Sequence, residues 1–371
     1  MAAIAVFGDV LKGVFAPGEY QVVGGSHDAV VDYKEVLGER VRLVVDSVTR
    51  IDAAGRGVTL AGGGTVGYDY LIYAVGSGSA KPGVPGAAEF AYPIATLEEA
   101  ERLRPVLDAA PATAAMTVVG AGMLGIETAA ELAEAGRAVA LVCGGVLGPY
   151  LHPRVRRSVA KQLAKLGVTV LDGPDATVTA VTRDAVQLSG GRELPSTVTI
   201  WTAGFGVPDL AARSGLSTDA VGRLLTDETL TSVDDERVIA AGDSAAPSDL
   251  PLRMSCQAAG PLGAHAADTV LARIVGEQPA FVEVGFFGLC VSLGRRAATV
   301  QFASKDDTAN RVSIGGRLAA KVKESSYTGL IKHLSNEARK PGSYTWKFKD
   351  AKRQQLLAKR GGELVTAEPA A

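Results

Sequence analysis

Gly120, Gly122 and Gly125 carry the clearest chemical signal in this chain. They stand in the run Gly-Ala-Gly-Met-Leu-Gly, directly after the apolar stretch Met116-Thr-Val-Val119 and directly before a helical pattern. In that setting the first glycine makes a tight turn. The second lets backbone approach a pyrophosphate, and the third lets a helix pack closely on a strand. The helix that opens there presents unpaired N–H groups and the positive end of its dipole to phosphate oxygens. The next strand would ordinarily end in an acid for a ribose 2′-hydroxyl. Here it ends Leu141-Val142-Cys143-Gly144. Arg154, Arg156 and Arg157 follow, either as contacts for a 2′-phosphate or as a solvated helix face. NADH and NADPH both stay open.

Two other sets of residues have chemical types at meaningful places. Glu127 falls in the first turn of the helix after the glycines, where a carboxylate either complements the helix dipole or lies near a nicotinamide. Val238-Ile-Ala-Ala-Gly242-Asp243 reads as a short strand ending Gly-Asp before a helix. Its acid either accepts hydrogen bonds from ligand hydroxyls or acts as an N-cap. Cys256-Gln257 starts a helix running to Arg273, and Cys256 reads as an idle thiol. Cys143, Cys256 and Cys290 are far apart in sequence with no CxxC or CxxxxC pair. That spacing speaks against a redox-active disulfide or a zinc site. His27, His152, His265 and His333 lack metal-ligand spacing, so no metal is expected.

The elements that must position these residues follow from the pattern around them. Met116 to Gly145 is a strand, glycine turn, helix and strand, with Gly136 as the helix stop. Residues 97–110 and 154–166 read as helices, the first closed by Pro111, and GVTVLDG as a strand. Ile4–Phe7 reads as a short strand, and VRLVVDSVTRI (41–51) alternates as strands do. Residues 48–78 resemble residues 178–206. Each copy reads as a pair of strands, a glycine turn, and an apolar strand ending at Gly76 or Gly204. An internal repeat implies two related domains. Gly120 precedes Gly204 by 84 residues, and the same count back from Gly76 passes Met1, which accounts for the lack of a GxGxxG in residues 1–30.

Composition limits the classes of function. With 371 residues, 47% hydrophobic and 21% charged, the chain suits two or three soluble domains. A net charge of −2 does not favour nucleic acid as a partner. The cysteine usage fits a reducing cytoplasm, and there is neither a leader pattern nor a transmembrane run. Residues 320–360 are basic. With Tyr327, Leu330, Ile331 and Leu334 at helical spacing, they form either a membrane-surface helix or a docking helix with a solvated basic face.

Together these features resemble the flavin-dependent pyridine nucleotide oxidoreductases. Within them, the chain looks like the type II NADH:quinone dehydrogenase and apoptosis-inducing-factor-like flavoproteins, over about residues 30–350. The resemblance rests on YDYLIYAVGS (68–77), GAGMLGIE (120–127), TIWTAGF (199–205), LLTDETLTSVDDERVIAAGDSA (224–245) and SLGRRAATVQF (292–302). It implies an α/β fold of two Rossmann-like three-layer domains, the first incomplete at its N-terminus, plus a small C-terminal α+β domain. Residues 1–100 and 227–275 would form the FAD-binding domain, 101–226 the NAD(P)H-binding domain, and 276–371 a dimer or membrane-interface domain.

The implied cofactors are FAD and NAD(P)H, with hydride passing from nicotinamide to flavin and electrons on to a quinone or similar acceptor. By the same resemblance, Gly242 and Asp243 hold the FAD ribityl and pyrophosphate region, and Ala74, Val75 and Gly76 mark a strand end of the FAD domain. Glu127 matches the carboxylate lying near flavin and nicotinamide, and Gln257 lies toward the isoalloxazine and quinone end. The family opens with its own strand–GxGxxG–helix–strand–acid unit, which this sequence does not show. Two functional classes therefore stand side by side: an NAD(P)H:acceptor oxidoreductase, and a truncated or degenerate homologue that binds NAD(P)H without flavin. A membrane-surface interaction module using residues 320–360 is a third.

Overall fold

The computed structural model describes residues 3–5 and 33–366. Two parallel sheets form its centre. In the first, Tyr70–Tyr73 lies between Ala3–Ala5 and Val238–Ala240. The second has five strands in the order Thr169–Leu171, Ala138–Val142, Ala115–Val119, Val198–Trp201 and Ala91–Pro93. Val198–Trp201 and Val238–Ala240 are buried along their whole length. Continuous apolar runs of this kind belong in sheets covered on both faces.

The internal repeat is structural. Val48–Asp52, Gly57–Leu60 and Thr65–Gly67 form an antiparallel meander that leads into Tyr70–Tyr73. Val178–Val181, Ala185–Leu188 and Glu193–Pro195 form a second, leading into Val198–Trp201. The pairing slips at the same place in each copy, between Val48 and Arg50 and between Val178 and Ala180. The segments that follow the two terminal glycines also meet in a short ribbon, in which Gly78–Ser79 pairs antiparallel with Phe205–Gly206.

Helix boundaries follow their local signals. Leu97–Ala109 opens on a Thr96–Glu99 capping box. Pro153–Lys165 opens on proline at its first position, with His152 as cap. Two expectations need correcting. Residues 41–47 are not a strand: Val41, Leu43, Val44 and Val45 are exposed. Asp46 instead turns its carboxylate onto the amides of Ser47 and Gly62, which holds a bend where the ladder would have run. Gly242-Asp243 also does not lead directly into a helix. A single tight turn, Gly242–Ser244, is followed by the strand Ala245–Pro247, and the long helix Cys256–Ile274 begins only at the Ser255 cap. Of the predicted Ile4–Phe7 strand, Ala3–Ala5 is observed. The rest lies outside the described residues.

The C-terminal part is an antiparallel sheet of Gly288–Ser292, Ala298–Ala303 and Ala309–Gly315, followed by the helices Gly316–Arg339 and Lys352–Thr366. It is built into both cores. Val282, Val284 and Phe286 pack in the core of the first sheet, while Leu289, Val291 and Leu293 pack in that of the second. Alternate residues point the same way along an extended chain, so the inward phase changes from even to odd between Phe286 and Leu289. The change occurs at Gly288. Its φ is +157°, and a Cβ there would overlap the Gln301 carbonyl oxygen.

Candidate functional site

The glycine turn has the geometry of a dinucleotide cradle. Gly120 has φ +129°, and a Cβ on it would strike Thr202. A Cβ on Gly125 would overlap the Gly120 carbonyl oxygen and come within 2.7 Å of Thr202 Oγ1. Thr202 is fixed by donating to the Val119 carbonyl at 2.8 Å. These two glycines are therefore required by packing. Gly122 differs: nothing lies within 4 Å of a Cβ placed on it, and its φ of −70° suits any residue. Gly122 caps Met123–Glu134 without a side-chain hydrogen bond, so no capping side chain takes up the amides of the first helical turn. A pyrophosphate fits this cradle.

The first sheet converges on the same region. Ala74 and Val75 are buried, and Gly76 turns with φ +68°. Gly242 turns with φ +64°. Asp243 accepts from the Ser77 hydroxyl at 2.7 Å and from the Ser255 amide at 3.1 Å. Asp243 thus ties together two strand ends and the start of the Cys256–Ile274 helix. Gly204 has φ +88° and accepts from the Ala80 amide through its carbonyl, which joins this knot to the cradle. Among the described residues no second strand–glycine–helix unit joins the three-stranded sheet. The parts present suit the ribityl and ring end of a flavin.

Glu127 is not a dangling helix carboxylate. It is buried, its Oε1 accepts from the Ser292 amide at 2.7 Å, and it pairs with Lys323. Lys323 also donates to the Ser292 hydroxyl at 2.7 Å. Its side chain is only 5% exposed, so this lysine is withdrawn from the basic face read in residues 320–360. Arg353 is withdrawn as well, through a two-pronged pair with Glu228 at 2.8 Å.

Sequence reasoning missed Lys323, because it lies 196 residues from Glu127 inside a charged run. A usable signal was present in Glu127, Glu131 and Glu134, which share one helix face. All three carboxylates reach the segment 292–295 or its neighbour: Glu131 meets the Arg295 guanidinium and Glu134 the Arg295 amide.

Gln257 spends both ends of its amide on the phase change. It accepts from the Phe287 amide at 2.8 Å and donates to the Gly288 carbonyl at 3.1 Å. Gln301 does the same toward the other sheet, accepting from the His152 amide and donating to the Tyr150 carbonyl. Burial pushes the Cys143 thiol up to about 12 and also raises Cys256 and Cys290, so none is an activated nucleophile. All three cysteines are free. His152 and His265 serve the fold locally, His152 as a helix cap. His27 lies outside the described residues. No helix among the described residues is long and apolar enough to cross a membrane.

Known proteins share this architecture. NDH2 of Plasmodium falciparum, solved with NADH, superposes with a TM-score of 0.69 at 14% identity, over 90% of this chain and 92% of that one. The sulfide:quinone oxidoreductase of Aquifex aeolicus gives 0.70 at 16% identity, over 88% and 84%. A NADH dehydrogenase-like protein of Mycobacterium tuberculosis is 33% identical over 288 residues, 71% of each chain. The type II NADH:quinone oxidoreductase of the same organism is 28% identical over 312 residues, 72% of this chain and 66% of its own. Residues 9–267 match the pyridine nucleotide-disulphide oxidoreductase family. With the glycine cradle and the duplicated sheet units already in place, this chain belongs to that family of FAD- and NAD(P)H-dependent oxidoreductases.

Proposed function

We propose that this chain is an NAD(P)H:acceptor oxidoreductase in which a quinone is the acceptor. One observation carries the reading: the open cradle at Gly122 and the knot at Asp243 are drawn together by the Gly78–Ser79 and Phe205–Gly206 ribbon, with the buried Glu127–Lys323 pair beside them. The quinone-reducing relative in Mycobacterium tuberculosis supports the acceptor class.

When bound, the flavin supplies two-electron exchange between nicotinamide and acceptor. The residues do the rest. The Gly120–Gly125 turn and the helix amides hold the pyrophosphate of NAD(P)H. Asp243 offers its carboxylate to ribityl hydroxyls in place of Ser77. The glycine turns at Gly76 and Gly204, both with positive φ, end the two strands where the two ligands would meet. Glu127 and Lys323 form a buried ion pair at the junction and between them fix the amide and hydroxyl of Ser292. Gln257 sets the position of Phe287 and Gly288 near the same helix start. The basic residues of 320–360 outside the ion pairs of Lys323, Lys349, Lys352 and Arg353 would serve for contact with an anionic membrane surface.

The test is optical. FAD is added to the purified chain, excess is removed, and NADH follows. Retained flavin bands near roughly 370 and 450 nm that bleach with NADH, and return with a soluble quinone, are expected. A chain that retains no flavin but still binds NADH would overturn this reading in favour of the flavin-free alternative. That second reading is favoured by one feature, the first sheet's lack of a glycine unit among the described residues.

A further inference from the structure

The strand that should supply an acid for the adenosine ribose ends in Cys143, and the structure places a carboxylate beside it instead. Thr169–Leu171 runs parallel to Ala138–Val142 with Leu171 opposite Val142. The Cys143 amide donates to the Leu171 carbonyl at 2.8 Å, which carries the ladder one residue further. Asp172 is therefore level with Cys143 and leaves the sheet on the same face. Asp172 is exposed, at the carboxyl edge of the sheet where ligands of this fold bind.

The turn after the second strand is built of glycine and bonded to the 173–176 segment, the Gly144 amide donating to the Ala176 carbonyl at 3.1 Å. Gly144 and Gly145 have φ +63° and +149°, and nothing lies within 4 Å of a Cβ on either. We propose that Asp172 accepts the 2′-hydroxyl of the adenosine ribose and makes the cradle selective for NADH over NADPH. This rests on the dinucleotide reading of the Gly120–Gly125 turn.

The Asp172 charge itself and the withdrawal of Arg156 support this, while Arg154 and Arg157 are exposed. The Asp172 carboxylate, after burial, is what raises the Cys143 thiol, so the two side chains share one electrostatic environment and the thiol stays neutral. A 2′-phosphate would bring about −1.5 to −2 charges against that carboxylate. Of the three arginines considered as phosphate contacts, Arg156 is turned inward, donating to the Gly148 and Leu151 carbonyls at 3.4 and 3.1 Å. Asp175, the other acid nearby, has its side chain packed toward Gly190 on the adjoining hairpin and serves as a control.

Equilibrium titration of the purified full chain with NADH and with NADPH tests the assignment. NADH is expected to bind at least about ten-fold more tightly, the scale of one charge-assisted hydrogen bond exchanged for one like-charge contact. Asp172→Asn should close most of that gap by strengthening NADPH, and Asp172→Ala should also weaken NADH. Asp175→Asn should leave the ratio as it is. Equal affinities or a preference for NADPH in the unaltered chain, or an unchanged ratio in Asp172→Asn, would overturn the role of Asp172 while leaving the cradle intact. Binding of neither nucleotide would overturn the cradle itself.

Discussion

Gly122 and Gly125 sit three residues apart and answer to different constraints. Gly125 is glycine because the Gly120 carbonyl occupies the place of its Cβ, whereas nothing protein-made occupies that place at Gly122. Gly125→Ala should therefore destabilise the fold by about 1–3 kcal/mol through overpacking, read in denaturant unfolding. Gly122→Val should cost less than about 1 kcal/mol but weaken NADH binding about ten-fold or more. Equal stability losses in the two variants would show that Gly122 too is held by packing. A third residue-scale expectation concerns acid. The His265 ring donates to the Ala280 carbonyl and keeps a buried Nε2 without a partner, and burial lowers its pKa from 6.5. The folded form then binds fewer protons than the unfolded one, so stability should fall as pH drops below about 6.5. His265→Leu should flatten that limb of the stability profile; an unchanged limb would assign it to other groups. At this scale the sequence showed the glycines plainly, because each is dictated by local backbone. Lys323 was hidden, because its partner is distant in the chain.

Elements were legible where one local rule governed them. The meanders, the glycine-ended strands and the Met123–Glu134 helix all follow short-range patterns. Residues 41–47 did not, because the Asp46 carboxylate overrides an alternation that suggests a strand. The Met123–Glu134 helix also carries a lesson in burial. Glu127 and Glu131 lie one turn apart and each meets a cation, but the Lys323–Glu127 side chains are 5% and 7% exposed, while Arg295 at Glu131 is 39% exposed. Lys323→Met should cost about 3–5 kcal/mol, because it strands a buried carboxylate. Glu131→Ala should cost at most about 1 kcal/mol. Chemical denaturation of both variants decides this, and similar losses would mean that the Glu127 pair is solvated in solution.

At the scale of the whole molecule, the C-terminal segment is bound into both sheets. Gln257 fixes the phase change at Phe287 and Gly288, Gln301 grips Tyr150 and His152, and Arg353 closes on Glu228 across 125 residues of sequence. None of this was legible as long-range structure. A run of lysines and arginines looks the same whether it faces water or ends in a buried fork. The Arg353 site shows the difference, since its guanidinium also donates to the Pro247 and Leu250 carbonyls at 3.0 and 2.9 Å. Arg353→Leu would remove the cation paired with the Glu228 carboxylate and take one donor each from the Pro247 and Leu250 carbonyls, the first of which keeps the Leu250 amide. The expected loss is about 3–5 kcal/mol, with the Lys352–Thr366 helix becoming a site of early proteolytic cleavage. Replacing both partners, Arg353→Leu with Glu228→Leu, removes the stranded charge and should recover most of that loss, because buried ion pairs contribute little beyond the cost of breaking them. Unfolding of the single and double variants separates two meanings of the contact. Recovery in the double variant would show that the pair selects this docked arrangement without supplying its stability. A double variant as weak as the single one would show that the guanidinium's bonds to Pro247 and Leu250 hold the segment, with Glu228 only orienting the fork.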